Sequence, residues 1–235
     1  REGRVAIGGG FEEPAVDPTG AGDTFAAALC VGLREEMELE RLACFCNCAG
    51  TLVIRHKGAI GMALGNMVGS LTVDKPKYAP VRDELVSLMD QAQGLREELL
   101  DLVEADARAF EPLSRAYGLP SGTNKEKAEK ARVMETCLRD AAAVPFEIMQ
   151  ACCGAIDLLE RFCEIGTPLA ISDVGCGAAC CRAAMQAASL NVFVNTKLMA
   201  DRAHATARDD AAYDLLDTYL PKADAIIAEV GERLR

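Results

Sequence analysis

Residues 62–73 read MALGNMVGSLTV: two glycines, an alanine and a serine set among long apolar side chains. Small residues at this spacing let two helix backbones approach closely. Glycine is a poor helix former on its own, so tertiary packing must hold such a segment helical. The stretch predicts a buried, tightly crossing helix and, with it, a mainly α fold. The residues C-terminal to it agree. Leu85, Leu88, Leu95, Leu99, Leu102, Val103 and Phe110 recur largely three and four apart, which predicts a helix over 81–117. GLPSGTN (118–124) reads as a loop whose Thr123 or Asn124 caps a long helix over 125–165, kinked at Pro145. Gly166, Thr167 and Pro168 end it, and Ser172 is placed to cap the next helix. A last helix is expected over 208–234, interrupted by Pro221. Upstream, the two glycines of RHKGAIG (55–61) predict a break.

The N-terminal part differs in character. VAI followed by GGG predicts a strand or hairpin within 4–16, and helical spacing returns over 24–36 and 39–54. This divides the chain into a segment 1–58 and a helical segment 59–235.

The bulk numbers bound the function. Of 235 residues, 50% are apolar and 26% charged, enough to bury a core and too apolar for a disordered chain. The net charge of -11 argues against a general nucleic-acid binder, which needs an excess of Lys and Arg. No uninterrupted apolar run is long enough to span a bilayer, and the N-terminal residues lack a signal-peptide layout, so a cytoplasmic protein without a membrane partner is expected. The 11 cysteines are odd in number and fall within helical runs, unlike a secreted disulfide framework. Cys44 and Cys46 would point about 200° apart on a helix. No second CxxC or His pair accompanies them, so they read as small core residues and no metal is expected.

Residues 17–25, DPTGAGDTF, have their own logic. Gly20 and Gly22 let backbone N–H groups converge on an anion at a helix N-terminus, and Asp23 stands where it could take a proton from an attacking hydroxyl. PAVDPTGAGDTFAAALCVGL (14–33) and LERLACFCNCAGTLVIRHKGA (39–59) together resemble the C-terminal region of ribokinase-like carbohydrate kinases. The resemblance makes Gly20, Ala21 and Gly22 the anion hole, Asp23 the base, and Asp17 a neighbour of a monovalent cation site. In that family a large α/β body precedes the motif, and the residues before Asp17 are too few to supply it. Positioning supplies most of the catalysis in phosphoryl transfer, so kinase activity of this chain alone is not expected.

The remainder resembles the formiminotetrahydrofolate cyclodeaminase and methenyltetrahydrofolate cyclohydrolase family. The segments that carry the resemblance stand in family order: GAIGMALGNMVGSLTVDKPKY (58–78), LVEADARAFEPLSRAYGLP (102–120), AAAVPFEIM (141–149), ISDVGCGAA (171–179) and LNVFVNTKLMAD (190–201). It implies a dimeric all-α bundle acting on a tetrahydrofolate derivative. Cyclodeamination expels ammonia from a formimino group, and cyclohydrolysis opens a methenyl bridge with water. Both chemistries need a proton donor or acceptor beside a carbon flanked by two nitrogens, and a carboxylate suits that role. The family's catalytic acid falls in EADARAF (104–110), which points to Asp106 first and Glu104 second; an exposed helical charge is the plain alternative.

The SD pair, Ser172 and Asp173, falls near the family's folate site, although Asp173 also suits a helix first turn. Asn191 and Asn195 share a helix face, where they could meet a pterin edge or one another. Lys75, Lys77 and Lys197 could meet folate carboxylates or lie solvated at the surface. The family's PGGGS-type turn is missing before GAIG, and the kinase-like segment stands in its place, which leaves impairment of the folate site open. Two further readings stand beside the folate one: a sugar kinase fragment, and a non-catalytic helical dimer arising from a gene fusion.

Overall fold

The structure is a computed structural model and describes residues 56–235. The strand or hairpin expected over 4–16, the helices expected over 24–36 and 39–54, and the loop with Asp17, Gly20, Ala21, Gly22 and Asp23 lie outside the described residues.

Helical backbone covers residues 56–70 (α1), Arg82–Tyr117 (α2), Asn124–Ile165 (α3), Ile171–Thr196 (α4) and Arg202–Arg233 (α5). A 3-10 segment, Pro76–Val81, leads into α2, and another, Pro168–Ala170, leads into α4. The described residues contain no strand. Consecutive helices α2 to α5 run antiparallel. Leu95 of α2 meets Gly154 of α3, and Lys130 Nζ donates to the Tyr117 carbonyl at 2.7 Å. Gly177 of α4 meets Leu159, and Asn195 meets Ala141. Gly175 meets Val230 of α5, and Thr196 Oγ1 lies 2.6 Å from Asp209 Oδ1.

The break expected at Gly58 and Gly61 does not occur. Helix α1 runs through both glycines because they are where it presses on its neighbours. A Cβ on Gly61 would stand 2.5 Å from Cys181 Sγ and 2.8 Å from the Gly177 carbonyl oxygen. One on Gly58 would touch Leu99 of α2 at 3.3 Å and Cys152 Sγ of α3 at 3.5 Å. Close backbone approach outweighs the propensity penalty, about 1 kcal/mol per glycine. Met62 and Val68 are fully buried on the same helix, as the spacing of 62–73 predicts. Thr72 then locks the end of α1: its Oγ1 donates to the Val68 carbonyl at 2.6 Å and accepts the Thr167 N–H at 2.9 Å.

Helix α3 is the central element, with Ile148, Met149, Ile156, Leu159 and Phe162 buried. Each such side chain contributes about 1.5–3 kcal/mol relative to exposure. By length and composition alone α3 could cross a membrane, but most of its apolar window is buried inside the bundle. Its start is fixed by Thr123, whose Oγ1 accepts the Glu126 N–H at 3.2 Å while Glu126 Oε2 accepts the Thr123 N–H at 2.7 Å.

Three boundaries differ from expectation. Helix α4 starts at Ile171 with Ala170 at its N-cap, because the 3-10 turn feeds straight into it; Ser172 is an exposed first-turn residue. Helix α5 starts at Arg202, not 208, because Asp201 accepts the His204 N–H at 3.1 Å as its cap. It also continues through Pro221, which is exposed within the helix rather than ending it.

Candidate functional site

The antiparallel register sorts the candidate residues into two groups at opposite ends of the bundle. Arg161 of α3 pairs with Glu84 of α2, marking one end. Asp106 stands about 22 residues further along α2, or ~33 Å at 1.5 Å per residue. Ser172 and Asp173 lie at the Glu84 end, because α4 starts where α3 stops. Lys75 belongs there too: its Nζ donates to Thr167 Oγ1 at 2.9 Å in the α3–α4 connection. Lys77 is exposed, with its ammonium 5.6 Å from the Tyr78 ring centroid. The other end holds Asp106, Glu104, Asn191, Asn195 and Lys197. Within one chain, the structure does not bring the two groups together.

At the Asp106 end, two helices carry polar side chains on the sides that pack against α1 further down. Leu99 of α2 touches α1 at Gly58, and Asp106 stands two turns beyond it, along the same side of α2. On α4, Gly177 and Cys181 touch α1 at Gly61, and Asn191 and Asn195 stand four turns beyond them. Asn195 Nδ2 donates to the Ala141 carbonyl of α3 at 3.0 Å and to the Asn191 carbonyl at 2.8 Å. Asn191 Nδ2 donates to the Ala187 carbonyl at 3.0 Å. Half-buried Asn195 therefore ties α4 to α3, while half-buried Asn191 bonds within α4. Below them lies a small core of Leu113, Ala116, Leu138, Ala141, Met199 and Ala205, with Phe110 packed against it.

The two carboxylates differ. Glu104 points away from Asp106 by about 200° around the helix. It is exposed and paired with Arg108 at 3.3 Å, one turn on. Asp106 is half-buried and has a polar or electrostatic partner within the chain. Of the two, only Asp106 lies on the side of α2 that Leu99 turns to α1. Lys197 is exposed at the C-cap of α4.

The α4–α5 connection beside this end is held by charge. Glu135 accepts the Ala200 N–H at 2.7 Å, and Arg139 bridges Glu135 at 3.2 Å and Asp201 at 2.7 Å. Burial pushes the Glu135 carboxyl up, but the Ala200 amide and Arg139 pull it to a net position below its ordinary range. The His204 N–H and then Arg139 hold Asp201 low, against a smaller opposing effect of burial.

Cys152 and Cys181, fully buried around Gly58, are inert thiols. Burial pushes Cys152 up to about 12, and Cys181 is also raised, first by burial. Cys152 and Cys181 are thus small core residues, whereas Cys44 and Cys46 lie outside the described residues. Among the described residues, no group of three or more His, Cys, Asp or Glu is arranged to hold a metal ion.

One charged residue was not singled out from the sequence. Lys57, in the first described turn of α1, is only 9% exposed. Its available signal was its place four residues before Gly61, on the small-residue face of α1.

The fold defines a class: a helical bundle whose helices pack closely at glycines, with Asp106, Asn191 and Asn195 at the same end. The family model described as formiminotransferase-cyclodeaminase matches residues 53–213, and the chain belongs to that family. A methenyltetrahydrofolate cyclohydrolase from Methylorubrum extorquens is 36% identical over 174 residues, covering 74% of this chain and 78% of that protein. The formimidoyltransferase-cyclodeaminase of Mus musculus is 29% identical over 152 residues, covering 65% of this chain but only 28% of that longer protein. The crystal structure of formiminotetrahydrofolate cyclodeaminase from Thermotoga maritima superposes with a TM-score of 0.64 at 25% identity, covering 78% of this chain and 86% of that one. Residues 2–65 match the pfkB carbohydrate kinase family.

Proposed function

We propose that the helical segment from α1 onward is a folate one-carbon enzyme acting on formimino- or methenyl-tetrahydrofolate, with Asp106 as its acid–base group. The observation that carries this is a half-buried Asp106 at the same end of the bundle as Asn191 and Asn195, in a chain whose relatives are named for these two reactions. A carboxylate beside the one-carbon unit can take a proton from attacking water or give one to departing ammonia. The side-chain carbonyls of Asn191 and Asn195 supply acceptors for a pterin edge. Glu104, in its surface ion pair, is the weaker candidate. Mixing the protein with methenyl- or formimino-tetrahydrofolate tests the reading: the methenyl ultraviolet band should change faster than in buffer, and Asp106→Asn should slow the change by about 100-fold or more.

The substrate site is completed, in this reading, by a second copy. Ile60 and Met67 on the outer face of α1, with Leu71 just past its end, form a stripe of large apolar side chains exposed by 49%, 41% and 49%. Antiparallel pairing of two copies along this stripe places the Asp106 end of one level with the Lys75, Lys77, Ser172 and Asp173 end of the other. The cations then lie where they could meet folate carboxylates, near the acid. Asp173 serves as a first-turn charge in either case. Lys197, at the Asp106 end, is a third candidate cation for a glutamate tail.

A second reading rests on the kinase match of residues 2–65. It assigns Asp23 as the base of an ATP-dependent sugar phosphorylation, and it fails if no ADP appears with any sugar.

A further inference from the structure

We infer that Lys57 is a substrate-binding residue, whose ammonium holds the ring carbonyl oxygen of the bound pterin and so sets the one-carbon unit beside Asp106. The inference rests on the folate reading above and adds a residue to it. Lysine is almost never this deeply buried without a polar role, and Lys57 is 9% exposed. It shares a stripe of α1 with Gly61 and Gly65, which press on α4 and α3. Its neighbour Gly58 is enclosed by Leu99, Cys152 and Cys181. Helical side chains lean toward the N-terminus of their own helix. For α1 that direction leads from the Gly58 level toward Asp106, Asn191 and Asn195.

Charge decides which part of the substrate Lys57 meets. A methenyl bridge shares a positive charge with its two nitrogens, and a buried ammonium repels it. The carbonyl oxygen of the pyrimidine ring, an acceptor with partial negative charge, attracts the ammonium. Lys57 therefore takes the carbonyl edge and leaves the bridge to the Asp106 carboxylate, whose charge suits a cationic carbon. Lys57 and Asp106 both already have polar or electrostatic partners within the chain, so each is stabilised before substrate arrives.

The test uses the full chain and 5-formyltetrahydrofolate as a non-reacting probe, with calorimetric titration and steady-state kinetics on the methenyl substrate. Lys57→Met should weaken probe binding by roughly 10-fold or more, as expected for a lost charge-assisted hydrogen bond. KM should rise with it, while kcat falls less. Lys57→Gln, of similar length but neutral, should show the same direction if the Met variant does not fold. A merely structural role would lower the unfolding temperature and leave the affinity of the folded fraction unchanged. Affinity within twofold of wild type in either folded variant overturns the inference while the folate reading stands. If wild type neither binds the probe nor alters the methenyl band, the folate reading falls and this assignment falls with it.

Discussion

Gly61 and Gly94 are both helical glycines with opposite surroundings. A Cβ on Gly94 would meet nothing within 4 Å. Gly94→Ala should therefore stabilise the protein by about 0.5–1 kcal/mol through helix propensity and a less flexible unfolded chain. At Gly61 the obstacle includes the Gly177 carbonyl, a backbone atom that cannot rotate aside. Gly61→Ala should destabilise by about 1–3 kcal/mol despite the same propensity gain. Urea titrations of the two variants check both signs. The close packing of the stretch 62–73 was legible because small residues on a helix have few other uses. The role of Gly58 and Gly61 was not, since local propensity alone cannot distinguish a break from a close crossing. Asp106 was legible as a candidate from its neighbourhood in EADARAF. Lys57 was not, because its place four residues before Gly61 marks a covered face only if 55–61 is helical, and the two glycines there read as a break.

At the scale of elements, the connection between α4 and α5 depends on ionised carboxylates. Glu135 and Asp201 are both held below their ordinary range. A depressed folded value contributes stability that is present above the unfolded-state value, about 4, and is lost as pH falls through the folded one. The unfolding temperature should therefore drop on acidification below about pH 4, and Glu135→Gln should flatten that acid limb while lowering the plateau at neutral pH. An identical acid limb in wild type and variant would show that the network does not anchor this connection. The start of α5 at Asp201 could have been read from an Asp three residues before His204, but a Gly- and Pro-free approach gave no competing boundary. Ser172 misled as a cap because the Pro168–Ala170 turn supplies the helix entry by itself. Pro221 misled because an exposed proline loses little within a helix that is packed on its other side.

For the whole molecule, the candidate residues stand at two ends of one bundle, and a second copy is the proposed remedy. Met67→Glu, placing charge in the α1 stripe, should lower the apparent mass to that of a monomer in sizing experiments. It should reduce folate turnover together with dimer content. A dimer that persists with full activity would place the interface elsewhere. The bundle itself was legible from helical periodicity, because amphipathic runs joined by short loops have few alternatives. The division of the site was not, since sequence order says nothing of which helix ends meet. The folate reading turns on acid–base chemistry by Asp106 at the one-carbon unit. The decisive experiment is the rate of change of the methenyl ultraviolet band for wild type and Asp106→Asn at equal folded concentration. Wild type should turn the substrate over, and the variant should be slower by about 100-fold or more. Equal rates in the two proteins would remove Asp106 from the chemistry.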